Sequence, residues 1–138
     1  MVNENFNTTD ALGQLTDAYH DAYLAAAAQD GHIVGIAATG DAWSRAWTEG
    51  IANPDPYGGT APGVSLTFNY LEGSQPSTVD KPTDAGFHHP SIYGAYLNAL
   101  VLFQTIAGTD VRVFGASEKA AQTLGISAPA ALQLQQVA

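Results

Sequence analysis

The chain is organised around residues 87–100, which read FHHPSIYGAYLNAL. The adjacent His88 and His89 stand on a turn before Pro90, and Ser91 is a suitable N-cap for the strongly apolar helix that follows. Imidazole is the side chain best suited to proton transfer near neutral pH, and loops at the ends of rigid elements commonly present such groups. This stretch therefore predicts a central helix with a candidate general base, His89, at its start.

The elements before this stretch predict an α/β fold. A helix with one buried stripe is expected over 11–29, because apolar residues recur there at steps of three and four. The uninterrupted apolar run at 32–38 predicts a strand buried on both faces, as in a parallel sheet. Asp41 or Thr39 is expected to cap a second helix over 42–50. The order helix, strand, helix is typical of the α/β class.

The elements after it are predicted to be helical. The central helix is expected over 92–106 with Gly108 as its stop signal. Ser117 is expected to cap a helix that runs to about Leu124, and Ser127 with Pro129 in the first turn opens a last helix.

The whole chain, 1–138, is expected to be a single domain with two irregular parts. Residues 1–9 are polar and are interpreted as a disordered lead-in. Prolines and glycines interrupt residues 51–86, so this is expected to be a long loop region, in which only 64–70 alternates like a strand.

Composition excludes several classes of function. With 4 Lys+Arg against 13 Asp+Glu, the net charge of −9 repels a phosphate backbone or an anionic lipid surface. We therefore expect neither nucleic-acid nor membrane partners. The chain has no cysteine, so a thiol nucleophile and a disulfide framework are excluded. Low charge and an acidic balance fit a secreted or periplasmic bacterial protein, with the cytoplasm as the alternative.

The catalytic interpretation of the histidines has competing explanations. Asp84 is the nearest carboxylate able to orient His89, but an Asp in such a loop is more often simply solvated. The histidines equally fit the end of an ordinary loop. A metal site is disfavoured because the side chains of His88 and His89 diverge, so no metal and no cofactor is expected. Ser44 is rejected as a nucleophile because it falls inside a predicted helix.

The order of several motifs resembles the C-terminal half of an SGNH (GDSL-type) hydrolase, and a bacterial, often exported, subgroup in particular. The motifs are Ala-Tyr-His at 18–20, Thr-Gly-Asp-Ala-Trp at 39–43, His-Pro-Ser at 89–91, Gly-Ala-Tyr-Leu-Asn-Ala-Leu at 94–100, and the tail 115–137. The resemblance implies a partial αβα sandwich with a few-stranded, mostly parallel sheet and flanking helices. It also implies a serine-type hydrolase of small-molecule or carbohydrate esters.

The resemblance assigns catalytic roles with two departures from the family pattern. His89 matches the catalytic base, and Ser91 follows it in the motif as a further candidate catalytic residue. The family's acid stands three residues before the base, where this chain has Gly86, so Asp84 is a candidate only if the loop bulges.

The family's Gly-Asp-Ser nucleophile block and its oxyanion blocks are also absent from the sequence. The resemblance then implies a nucleophile from a missing N-terminal segment or from a second chain. The alternative is a non-catalytic SGNH-like fragment that acts as an oligomerising or binding module, since a sheet with missing strands has open edges.

Overall fold

The computed structural model describes residues 9–53, 63–66 and 90–138. This part of the chain contains helices and a small parallel sheet, as expected for the α/β class in its broadest sense. The elements are α1 (Thr9–Gln29), α2 (Thr39–Thr48), β1 (Ala52–Asn53), β2 (Val64–Ser65), α3 (Ile92–Ala107), a 3₁₀ segment (Val111–Ser117), α4 (Lys119–Thr123) and α5 (Ala128–Val137).

The helix α3 is the centre of the described structure, and both of its predicted ends are confirmed. Ser91 is the N-cap, and Gly108 ends the helix in the left-handed conformation with φ of 63°. The buried face of α3 carries aromatic and aliphatic side chains separated by small ones: Gly94, Tyr96, Leu97, Leu100 and Val101. This face is the wide apolar stripe that the sequence predicts.

The helix α2 packs closely on α3 because its inner face is small. Ala42 and Ala46 are completely buried. Beside them the Trp43 indole Nε1 donates a hydrogen bond of 2.8 Å to Asn98 Oδ1 on α3. This bond satisfies the polar end of a large side chain that is otherwise in apolar surroundings.

The helix α5 closes the other side of the core. Leu134 is completely buried, and the 3₁₀ segment and α2 both contact α5. The Arg45 guanidinium of α2 donates from Nε and Nη2 to the Val137 carbonyl oxygen at 3.0 and 2.8 Å. The charged donor therefore binds the carbonyl end of α5, where the helix dipole is negative.

The sheet consists of β1 and β2 in parallel, with Ala52 opposite Val64 and Asn53 opposite Ser65. The strand expected over 64–70 is thus confirmed at its first residues, while 67–70 lie outside the described residues. The sheet is joined to α3 because the backbone N–H of Ser91 donates to the Leu66 carbonyl oxygen at 2.8 Å.

The strand predicted over 32–38 is wrong. This segment is an irregular connection in which Val34 is fully exposed and Ile33 is 43% exposed. A buried strand needs neighbouring strands on its edges and helices on its faces, and no described residue pairs with this segment in a sheet. The sequence has strand character, but the described structure gives it no partner.

The burial predicted for α1 is also wrong for the described side chains, although the helix itself is confirmed; Leu12 and Leu15 of the predicted stripe lie outside the described side chains. Tyr19, Tyr23 and Leu24 are 58, 59 and 49% exposed, and none of the described α1 side chains is buried. The helix α1 therefore lies on the outside of the core with part of its apolar stripe in solvent.

No helix in the described ranges is long and apolar enough to cross a membrane.

Two predicted caps differ by the position at which their helix begins. The helix α2 begins at Thr39, so Ala38 is its N-cap and Asp41 lies in its first turn. The cap of α4 is Glu118 instead of Ser117, whereas Ser127 caps α5 as predicted. Of the expected lead-in, all but Thr9 lies outside the described residues, and Thr9 begins α1.

We expect Gly94→Ala to destabilise the fold strongly. A Cβ at this position would lie 2.8 Å from Trp43 Cζ2 and even closer to the Leu66 carbonyl oxygen, so α3 would have to move away from both. Overpacking of this kind costs about 1–3 kcal/mol, measured as a loss in the free energy of unfolding in urea. Gly31→Ala is the control, because nothing lies within 4 Å of its added carbon. Equal stability of the two variants would contradict the packing described.

Candidate functional site

Two of the three predicted catalytic residues, His89 and Asp84, lie outside the described residues, as does His88. The third, Ser91, is described. Its position connects the start of α3 to the end of β2.

The Ser91 side chain is fully engaged with the main chain. Its Oγ accepts hydrogen bonds from the N–H groups of Tyr93 and Gly94 at 3.2 and 3.3 Å, and it donates to the Ser65 carbonyl oxygen at 2.6 Å. A nucleophilic serine must give its proton to a base. In this arrangement the proton of Ser91 faces a carbonyl, so the hydroxyl fixes the start of α3 to the end of β2.

A histidine–carboxylate pair joins α1 to α2. Nδ1 of His20 lies 3.0 Å from Oδ2 of Asp41, and the two side chains are 38 and 31% exposed. An ionised carboxylate only accepts hydrogen bonds, so we assign the imidazole hydrogen to Nδ1, which leaves Nε2 as an acceptor. The first turn of α2 places Asp41 where the partial positive charge of the helix N-terminus stabilises its carboxylate.

A close approach of the two helices brings this pair together. A Cβ built at Gly40 would lie 3.1 Å from Thr16 Cγ2, so a larger residue would require the Thr16 side chain to shift by a few tenths of an ångström. On the same side of α1, the rings of Tyr19 and Tyr23 stack with centroids 6.4 Å apart and planes inclined by 24°.

The pair lies at the edge of a cavity of about 280 Å³ between α1 and α2. The described residues of its walls include aromatic, aliphatic and acidic side chains but no Lys or Arg: Thr16, Tyr19, His20, Tyr23, Ile36, Ala37, Ala38, Thr39, Gly40 and Asp41. A largely apolar pocket with a few convergent polar groups is the usual form of a small-molecule site. This cavity is therefore the candidate functional site of the described residues.

The arrangement of His20 and Asp41 is that of a general base with an orienting carboxylate. Asp41 fixes the tautomer and stabilises the imidazolium that forms when Nε2 accepts a proton. The cavity provides space for a reacting molecule next to that base, as general base catalysis requires.

A second histidine–carboxylate pair has no such setting. Nδ1 of His32 lies 2.8 Å from Oδ1 of Asp30, but the His32 side chain is 98% exposed on a turn. The backbone N–H of His32 and then its ring hold the pKa of Asp30 below its usual value. This pair stabilises the turn after α1, and neither residue lines the cavity.

The sequence does not predict the pairing of His20 with Asp41 at the cavity. Asp41 is predicted only as a helix cap. His20 appears only in the Ala-Tyr-His motif of the resemblance to SGNH hydrolases and is given no role. The two residues are 21 positions apart and meet through the crossing of two helices, which no local spacing reveals. The available signal is an acid in the first turn of one helix and a histidine in the middle of the preceding one.

Comparison with known proteins finds no matching family model, no matching curated protein and no matching solved structure.

We expect Ser91→Ala to cost more stability than Ser127→Ala, although both remove an N-cap. Ser91 Oγ makes three hydrogen bonds, whereas Ser127 Oγ accepts a single one of 3.4 Å from the Ala130 N–H. Loss of a cap costs about 0.5–2 kcal/mol, with Ser91 at the upper end and Ser127 at the lower. Urea unfolding of both variants measures the difference. A larger loss at Ser127 would contradict the anchoring role of Ser91.

Proposed function

We propose that the protein hydrolyses small esters, with an oriented histidine as the general base. The observation that carries the proposal is the His20–Asp41 pair, held at 3.0 Å on the edge of a cavity. The resemblance to SGNH hydrolases supports the same reaction from the sequence, and it supports a partial αβα sandwich in which β1 and β2 belong to the parallel sheet.

Water is the nucleophile in the reaction proposed for the cavity. Nε2 of His20 takes a proton from water as the water oxygen bonds to the ester carbonyl carbon, and Asp41 stabilises the imidazolium. When the tetrahedral intermediate collapses, the bond from the carbonyl carbon to the alcohol oxygen breaks. The imidazolium returns its proton to that oxygen, so a carboxylic acid and an alcohol leave.

The resemblance gives the same chemistry a different base. In that form His89 is the base, Asp84 is its acid, and Ser91 secures the turn behind it or acts as a catalytic residue. The nucleophilic serine then comes from a segment or a chain outside the family's C-terminal half. Both forms predict ester hydrolysis, and they differ in which histidine is essential.

Variants of three histidines separate the two forms, with hydrolysis of 4-nitrophenyl acetate as the readout. His20→Gln keeps a side-chain N–H able to reach Asp41 but cannot act as a base, so we expect kcat/KM to fall about 10²–10⁴-fold. His32→Ala is the control, since His32 is paired with Asp30 but lies away from the cavity.

Loss of turnover in His89→Ala alone, with the fold retained by circular dichroism, would move the base to His89. Unchanged turnover in both His20→Gln and His89→Ala, or no turnover by the parent protein, would refute ester hydrolysis by either histidine.

A second candidate function is that of an oligomerising module. It is favoured by α1, whose Tyr19, Tyr23 and Leu24 remain about half exposed. Scattered exposed apolar residues are ordinary, but a helix with an apolar stripe and no buried side chain among those described can bury that stripe against a second copy.

If α1 mediates self-association, Leu24→Asp shifts the protein toward the monomer in sedimentation velocity, because a charge is costly to bury in an apolar contact. Leu132→Asp is the matched control on α5, where Leu132 is 39% exposed. A parent protein that sediments as a monomer at all concentrations would refute this function, and so would an equal effect of both substitutions.

A further inference from the structure

We propose that the cavity between α1 and α2 is a binding site for small organic cations, selective for an ammonium group over neutral or anionic groups of the same shape. If the protein is a hydrolase, this site selects esters that carry an ammonium group as substrates. Only this statement about substrates rests on the proposed hydrolysis. Binding itself is independent of turnover.

The cavity wall carries a negative charge that favours a cationic ligand. Among the described residues that line the cavity, Asp41 is the only one with a formal charge, apart from His20 when that imidazole is protonated. Oδ2 of Asp41 faces His20, and within the described ranges Oδ1 has no hydrogen-bond donor. The nearest cation along α2, Arg45, is directed to the carbonyl of Val137 and does not neutralise Asp41.

The helix dipole does not reverse this preference. The N-terminus of α2 contributes a partial charge of roughly +0.5, which favours anions. The full negative charge of the Asp41 carboxylate occupies that position and exceeds the partial charge. A second anion would have to bind beside a carboxylate on a protein with a net charge of −9.

The two tyrosine rings of the cavity also favour a cationic ligand. Tyr19 and Tyr23 both line the cavity, and their stacked rings are more than half exposed. The negative face of an aromatic ring attracts a cation within about 6 Å of its centroid. An ammonium group in the cavity therefore has two kinds of attracting group in the wall, the Asp41 carboxylate and the tyrosine rings.

The remaining wall sets the size and the shape of the ligand. Ile36 and Ala37 offer an apolar surface for the organic part of the ligand, and Nε2 of His20 stays available to the water molecule. The volume of about 280 Å³ lies just below the range of roughly 300–1,000 Å³ of sites for drug-sized ligands. The site fits a single ring or short chain with one cationic head.

Three probes of nearly equal shape test the charge preference: benzylamine, which is a cation at neutral pH, the neutral benzyl alcohol and the anion benzoate. Binding is measured by titration of the tyrosine ring and histidine imidazole resonances in the NMR spectrum of the whole chain. We expect benzylamine to bind about tenfold more tightly than benzyl alcohol, a factor that corresponds to about 1.4 kcal/mol. Benzoate is expected to bind least.

Asp41→Asn removes the charge while it keeps the shape and an acceptor for His20, so the preference for benzylamine should disappear. Glu49→Gln is the matched control, because it changes the net charge equally but lies at the other end of α2. The proposal is overturned if the probes bind equally, if benzoate binds best, if none binds at millimolar concentration, or if Asp41→Asn retains the preference. Ammonium selectivity without ester turnover would refute the hydrolase alone, and His20-dependent turnover without selectivity would refute the cation site alone.

Discussion

The packing of the described structure depends on the absence of a side chain at Gly94. Because no Cβ stands there, α3 lies directly against the Leu66 main chain and the Trp43 ring. The bond from Trp43 to Asn98 then fixes α2 along α3, and the bonds of Ser91 fix β2 to the start of α3. One close contact thus sets the mutual positions of a strand and two helices.

The candidate site lies where this packing is weakest. The helix α1 has no buried side chain among those described, and it joins α2 through the His20–Asp41 bond and the contact of Gly40 with Thr16. A helix held by few apolar contacts opens at lower free energy than the core, and ligand-binding elements are commonly drawn from such regions. The same loose junction that leaves a cavity for a ligand also leaves two tyrosine rings free to contact it.

The buried centre of the protein is not the place where chemistry is expected. Gln135 is almost completely buried and donates to the Tyr96 hydroxyl and to the Gly115 carbonyl oxygen, so it connects α5, α3 and the 3₁₀ segment. Burial is the main reason why the pKa of Tyr96 is raised. The phenol therefore stays neutral and serves packing, whereas the half-exposed imidazole of His20 stands at the cavity.

Features that depend on residues close in sequence, such as the ends of α3, are predicted correctly. Features that depend on residues distant in sequence, such as burial and strand pairing, are not. The limits of α3 follow from Ser91 and Gly108, each of which acts within one helical turn. The strand expected over 32–38 depends on neighbours that the described residues do not supply, and the burial of α1 depends on a surface that must cover it. The pairing of His20 with Asp41 depends on the crossing of two helices. The sequence shows both residues, but it does not predict that they are in contact.

The connection over 33–38 has a consequence for how the molecule comes apart. It links α1 to the core through a segment that no described residue pairs with in a sheet, and residues 33–35 are exposed, with Val34 entirely in solvent. A peptide bond in such a segment fits a protease active site without prior unfolding of the core, because little hydrogen bonding has to be broken. Cleavage there would separate His20 from Asp41 while leaving the packing of α2, α3 and α5 intact, so the candidate site can be dismantled without the fold.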